Sequence, residues 1–256
     1  MAGIWAQSDA YEVFMGRWAR KVAVEFVAWL GLPDGLGWLD VGCGTGALAT
    51  AVLAGAEPSR VAGVDPSYGF VAGARAAIPR AGFAVGDARA LPYADGRFDV
   101  VVSGLALNFV PDPARAVAEC ARVVRPGGTV AACVWDYRRG MGMLRHFWDA
   151  AVALDPAAAV LDEGARFPVC APGRLLGLWG GLAEVSVGSV EVATVFAGFD
   201  DYWDPFLGGQ GPAAGYVASL APDRRDALRD LLRERLPHGP IPLTARAWVV
   251  RGRRGF

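Results

Sequence analysis

Trp38-Leu39-Asp40-Val41-Gly42-Cys43-Gly44-Thr45-Gly46 is the stretch that decides the fold. A short apolar strand ends in an acid, turns through three glycines, and leads into a helical run from Ala47 to Ala54. Glycines let the backbone reach positive φ and let a ligand approach the main chain. The turn also exposes the first amides of the helix that follows. Asp40 sets the sign of the ligand. A carboxylate two residues before the first glycine repels a pyrophosphate and welcomes an ammonium.

The glycines alone leave two readings open. Gly42, Gly44 and Ala47 also satisfy the dinucleotide fingerprint G-x-G-x-x-G/A, and Asp65 lies about 20 residues on, as that pattern asks. Further acids favour the other reading. Val61-Ala62-Gly63-Val64-Asp65-Pro66-Ser67 reads as a second strand whose terminal acid suits ribose hydroxyls. Phe83-Ala84-Val85-Gly86-Asp87-Ala88 reads as a third, whose acid suits an adenine amino group. Each acid alone is equally an N-cap or turn residue. Three at successive strand ends, with Asp40 facing an ammonium, point to S-adenosylmethionine (SAM), whose sulfur is also cationic.

With these segments in view, the chain resembles the class I SAM-dependent methyltransferases. It looks most like the ubiquinone/menaquinone-biosynthesis and related small-molecule enzymes. The resemblance runs from about Gly35 to Asp136. It is carried by Leu39 to Gly46, Gly63-Val64-Asp65-Pro66-Ser67, Gly86-Asp87-Ala88 and Arg122-Val123-Val124-Arg125-Pro126-Gly127-Gly128. Tyr11-Glu12-Val13-Phe14-Met15-Gly16-Arg17-Trp18 resembles the entry segment of some members. Beyond Asp136 the likeness thins, where such enzymes differ in substrate. The implied fold is α/β: a Rossmann-like, doubly wound, seven-stranded sheet, mostly parallel with an antiparallel end strand, plus a helical cap.

Composition narrows the alternatives. A chain of 256 residues can bury a substantial core and is read as a single domain, 1–256. Formal net charge is -1 with the signs interleaved, so no basic field exists to hold a nucleic acid. Lys21 is the only lysine. Cys43, Cys120, Cys133 and Cys170 form no metal-binding spacing, so neither a metal site nor a disulfide framework is expected. Buried free thiols suit a reducing cytoplasm. No signal peptide and no membrane span is expected. Oligomeric state is not legible.

Strands are expected near 37–42, 60–65, 82–86, 98–104 and 128–135, and helices near 46–56, 67–77 and 112–124. The strands are apolar on both faces, as a covered parallel sheet requires. Residues 8–32 read as a lid helix, with Val22, Phe26, Trp29 and Leu30 at helical spacing. Residues 35–136 form the SAM-binding core. Met141 to Leu154 reads as a helix, Leu182 to Val195 as a strand, Pro222 to Leu236 as an amphipathic helix and Thr244 to Arg251 as a last strand. Residues 137–182 and 196–242 are assigned to a substrate cap; the second connection is longer than a simple link needs.

Methyl transfer from a sulfonium is an in-line displacement with a neutral leaving group. Positioning and water exclusion suffice, and a base is needed only for a protonated nucleophile. Ligands of open α/β sheets sit beyond the carboxyl ends of the strands. Asp40, Gly42 and Gly44 are therefore expected at the methionine end, and Asp65 at the ribose. Pro66 and Ser67 would shape the adenosine pocket, with Asp87 and Ala88 at the adenine. Ser103, Gly104 and Leu105 would lie nearest the sulfonium, and Arg17 at the SAM carboxylate. His146 and His238 are the candidate bases, His146 the one assigned, each with a structural or solvated histidine as the bland reading. Tyr11, Asn108, Phe109, Tyr137, Phe147 and Tyr202 are candidates to face the substrate; the aromatics read equally as core, and Asn108 and Phe109 as caps of the next helix. Family variants that methylate amino groups carry an Asn/Asp-Pro-Pro-aromatic motif after the fourth strand. Leu105-Ala106-Leu107-Asn108-Phe109-Val110 lacks it, which disfavours adenine or glutamine-amide methylation. The expected activity is methyl transfer to a small apolar or aromatic molecule. A non-catalytic SAM-binding regulator and an NAD-dependent oxidoreductase stay open as alternatives.

Overall fold

The structure, a computed structural model, describes residues 15–208 and 211–255. Within them the first helix, α1, spans Arg17–Leu30 and buries Val22, Phe26 and Leu30. The earlier part of the expected lid helix, with Tyr11, lies outside the described residues.

Strands and helices then alternate as expected. β1 (Gly37–Val41), α2 (Ala47–Gly55), β2 (Arg60–Asp65), α3 (Tyr68–Ala77) and β3 (Gly82–Val85) are followed by β4 (Phe98–Gly104), α4 (Pro113–Val123) and β5 (Val124–Trp135). β1 lies parallel between β2 and β4, β2 pairs with β3, and β4 with β5, all in parallel. All five residues of β1 are buried, the mark of a central strand covered on both faces.

Two long strands complete the sheet: β6 (Ala183–Phe196) and β7 (Ile241–Arg253). The order is β3-β2-β1-β4-β5-β7-β6. Gly127 donates to the Arg254 carbonyl at 2.8 Å, while Asp136, at the other end of β5, donates to Arg246 at 2.9 Å. β7 therefore runs antiparallel to β5. The antiparallel end of the sheet is present, with the last strand inserted beside β5 and β6 outermost.

The fifth strand begins earlier than expected, at Val124. Pro126-Gly127-Gly128, read as a turn leading into it, lies inside it. Gly127 takes φ 72°, and a Cβ on Gly128 would stand 2.7 Å from the Asp99 carbonyl. Glycine thus carries the strand through an irregular passage that other residues would break.

The chain divides into two compact units. One holds Ala19–Val134, Val169–Val190 and Ala247–Phe256, and so most of the sheet. The other takes Trp135–Pro168, Glu191–Arg246 and the start of α1 as far as Trp18. The second unit is organised around α5 (Gly142–Leu154). Phe147 is fully buried and stacks on Phe206 with ring centroids 4.4 Å apart. Tyr202 is fully buried, and its hydroxyl donates to the Met143 carbonyl at 2.8 Å. Glu163, 2% exposed, accepts from the Trp148 indole and from the Ala213 amide. Arg145 pairs with Asp162 at 2.6 Å, and Arg246 holds the buried Asp136 through two nitrogens. The helix expected at 222–236 is α6 (Pro222–Arg235), entered by its proline and buried through Leu228 and Leu232. Among the described residues no helix is long and apolar enough to cross a membrane.

Candidate cofactor site

The candidate site stands at the carboxyl ends of β1, β2, β3 and β4, all within the first unit. Its floor is the glycine turn. Gly42, Gly44 and Gly46 have φ of 75°, 51° and 92°, which L side chains rarely adopt. Gly42 is also needed for space: a Cβ there would lie 2.5 Å from the Cβ of Ala106. Beside Gly44 the reverse holds, and a Cβ would meet nothing within 4 Å. The turn is tied to β2, since Gly42 and Cys43 both donate to the Val64 carbonyl, at 2.7 and 3.1 Å. Gly46 precedes α2 and provides no capping side chain. The first-turn amides are thus left for other acceptors.

Two carboxylates face this floor. Asp40 is 2% exposed, and neither of its oxygens has a hydrogen-bond partner. Burial first, and the Asp65 charge second, push its pKa up to about 8; the nearby Ala49 amide, which does not reach hydrogen-bond geometry, opposes the rise. A buried carboxyl without a partner costs free energy in either protonation state. A cation delivered to it would remove that cost. Asp65 is the better satisfied. Its Oδ2 accepts from Gly44 N at 3.0 Å and its Oδ1 from Ser67 N at 2.8 Å. Burial raises its pKa, and those two amides hold it down. An ionised carboxylate offers about four lone-pair positions, so each oxygen keeps one for a ligand hydroxyl. The orphaned Asp40 and the open face of Gly44 fit the amino-acid end of SAM, and Asp65 fits its ribose.

The remaining expected residues divide. Ser67 caps α3, accepting from Phe70 N at 3.4 Å, and Pro66 is exposed beside it. Ser103, buried, and Gly104 end β4, and a Cβ on Gly104 would lie 2.9 Å from Leu48. Leu105 follows at φ 57°, its N–H donating to Cys133 at 2.9 Å. Asp87, expected at the adenine, is held by Arg89 through both carboxylate oxygens and through the Arg89 amide. That hydrogen bonding lowers its pKa to about 2. Ala88 is half-buried next to it. Tyr68, directly after Ser67, is not among the expected residues, yet it is 74% exposed. The signal is an aromatic one residue past a strand-end Asp-Pro-Ser.

Asn108 and Phe109 lie in one 3-10 turn, Leu107–Phe109, after β4. The cap of the next helix is a different residue: Asp112 accepts from Arg115 N at 2.9 Å. The other expected residues belong to the second unit. Arg17 pairs with Asp201 at 2.9 Å and covers the rings of Trp18 and Phe196. His146 is half-buried on α5, and among the described residues its imidazole has no hydrogen-bond partner. Tyr137 is buried against Phe167. Phe147 and Tyr202, for which pocket wall and core both stood open, are fully buried in the packed centre of their unit. All four cysteines are free and buried, and Cys43, Cys120 and Cys133 have thiol pKa values raised by burial.

Comparison with known proteins bears on the family and the fold. Residues 39–132 match the family model described as a methyltransferase domain. The chain is 35% identical over 190 residues to the 2-methyl-6-phytyl-1,4-hydroquinone methyltransferase of Synechocystis, covering 70% of this chain and 57% of that protein. It is 35% identical over 126 residues to the demethylmenaquinone methyltransferase of Renibacterium salmoninarum, covering 47% and 48%. The chain thus spans about half the length of these curated relatives. Among solved structures, a Haemonchus contortus phosphoethanolamine N-methyltransferase in complex with SAM aligns over 97% of this chain and 57% of its own, with TM-score 0.59 and 17% identity. The [4+2]-cyclase SpnF aligns over 93% and 81%, with TM-score 0.53 and 20% identity. The structural likeness is one of fold.

Proposed function

We propose that this chain, whose residues 39–132 match the methyltransferase-domain family model and which is similar to quinone-biosynthesis methyltransferases, transfers a methyl group from SAM to a small apolar or aromatic molecule. The observation that carries the reading is Asp40. It is a buried carboxylate without a partner, at the end of the central strand and at the foot of the glycine turn. An ammonium restores its charge and its hydrogen bonds together. A dinucleotide pyrophosphate would leave it protonated and orphaned, so NAD is disfavoured.

Bound SAM supplies an electrophilic methyl group on a sulfonium, transferred in line to the acceptor. Asp40 and the turn at Gly42 and Gly44 hold the amino-acid end. Asp65 orients the ribose, and its bond to Gly44 fixes the two contacts relative to each other. Pro66 and Ser67 border the adenosine, and Asp87 and Ala88 its base. Ser103, Gly104 and Leu105 set the wall past which the methyl group is presented. No base is assigned, since His146 touches no partner that would orient it. Two relatives are named for hydroquinone and demethylmenaquinone substrates, which supports an aromatic acceptor.

The test is a screen of the purified protein with methyl-labelled SAM against a metabolite library, read by mass spectrometry. Labelled methyl in an apolar or aromatic product is expected. Saturable SAM binding with no labelled product across such a library would favour a SAM-binding regulator.

A further inference from the structure

The side chain of Asn108 is 8% exposed, and neither its Oδ1 nor its Nδ2 has a hydrogen-bond partner. Nothing local needs an amide there. The turn closes through its backbone, with Phe109 N donating to Ala106 O at 3.0 Å and Val110 N to Leu107 O at 3.2 Å. The following helix is capped by Asp112. A leucine of similar size would fill the position without burying two unpaired polar atoms. The position is also close to the candidate site. Ala106, two residues earlier, occupies the space that a Cβ on Gly42 would need. Leu105 carries positive φ, a conformation concentrated at functional turns.

We propose that Asn108 selects the methyl acceptor, by holding a neutral hydroxyl group on an apolar or aromatic ring. The inference rests on the methyltransferase reading above. A primary amide presents an acceptor and a donor side by side. A hydroxyl answers both, since it donates to Oδ1 and accepts from Nδ2. A carboxylate or phosphate only accepts, and would face the lone pairs of Oδ1. An ammonium only donates. The segment from Ser103 to Pro111 contains no charged residue to neutralise an anion, and Leu105, Ala106, Leu107, Phe109 and Val110 around Asn108 are apolar. Asn108 comes three residues after Leu105, where the chain leaves the carboxyl end of β4.

The experiment loads the protein with S-adenosylhomocysteine and measures binding of two probes by calorimetry. Hydroquinone carries the hydroxyls; 1,4-dimethoxybenzene keeps the ring and lacks the donors. Wild-type protein is expected to prefer hydroquinone by about tenfold or more. Asn108→Leu is expected to abolish the preference, leave S-adenosylhomocysteine affinity unchanged and raise the thermal midpoint of the unliganded protein. Asn108→Ala, which adds no bulk, is expected to abolish the preference as well. Retained preference in both variants, or none in the wild type, overturns the proposal. So does a tenfold loss of S-adenosylhomocysteine affinity, which would assign the amide to the cofactor. Failure of the wild type to bind S-adenosylhomocysteine at all overturns the methyltransferase reading itself.

Discussion

Asp65 accepts a hydrogen bond from the backbone of Gly44, 3.0 Å away, so the end of β2 is fastened to the glycine turn that follows β1. The same carboxylate steadies Ser67 at the start of α3. One side chain therefore links the turn, the second strand and the helix after it. A ligand hydroxyl binding to Asp65 meets a group already fixed in place, which limits the entropy lost on binding.

Asp65→Ala should accordingly have two effects. Cofactor affinity should fall by roughly 2–4 kcal/mol, because hydrogen bonds to a charged group contribute about 1.5–3 kcal/mol each and do not add fully. The thermal midpoint should also fall, because the Gly44 and Ser67 amides lose their acceptor. Calorimetry and thermal unfolding read the two separately. A lower midpoint with unchanged S-adenosylhomocysteine affinity would leave Asp65 a purely structural role.

Glu163 makes a prediction in pH. Burial raises its pKa from 4.5 to about 7. Between these values the unfolded chain gives up a proton that the folded chain keeps, so this group's contribution to stability falls as pH rises through that window. Glu163→Gln cannot ionise. It also loses one of the two acceptors that Trp148 and Ala213 use, so it should be about 1–3 kcal/mol less stable than wild type at pH 5, with that deficit shrinking at pH 8. Denaturant unfolding at the two pH values checks this. A difference that does not change with pH would show that Glu163 does not titrate in that range.

Arg17 was expected at the SAM carboxylate, and the structure gives it Asp201 and two aromatic faces. Its side chain and that of Asp201 are about one-third exposed, so the pair contributes little to stability. Arg17→Ala should cost about 1 kcal/mol and change S-adenosylhomocysteine affinity by less than about threefold. A tenfold loss of affinity would return Arg17 to the cofactor.

Much of the fold was legible because its signals are local. The strand at 37–41, the acids at 40 and 65 and the glycines at 42, 44 and 46 combine periodicity, strand-end position and turn chemistry, which neighbouring residues determine. The aromatic residues were not legible in this way. Phe147 and Tyr202 have the composition of a pocket wall and the burial of a core, and only distant partners such as Phe206 and Met143 distinguish the two. Glu163 gave no signal either, since its burial depends on Trp148 and Ala213. At Asn108 the sequence left a cap and a ligand contact open. The structure assigns the cap to Asp112. The start of β5 was misplaced because Pro126-Gly127-Gly128 has turn chemistry, while pairing with Arg254 keeps it in the sheet.

Asp40 also predicts a proton linkage. Its pKa, raised from 3.8 to about 8, means the unliganded protein holds a proton there at pH 7, and stability from this group falls as pH rises between those values. An ammonium that restores the anion must expel the proton. S-adenosylhomocysteine binding at pH 7 should release about one proton, seen as a buffer-dependent calorimetric enthalpy. Asp40→Asn should remove that dependence.

The central claim, that this site holds SAM by its amino-acid end on Asp40, is tested most directly by one calorimetric series. Wild type and Asp40→Asn are each titrated with S-adenosylhomocysteine, methylthioadenosine and NAD. Wild type should bind S-adenosylhomocysteine and not NAD. Asp40→Asn should weaken S-adenosylhomocysteine by about tenfold or more and leave methylthioadenosine, which lacks the amino acid, nearly unchanged. Saturable NAD binding without S-adenosylhomocysteine binding, or equal losses for both adenosine ligands, would contradict it.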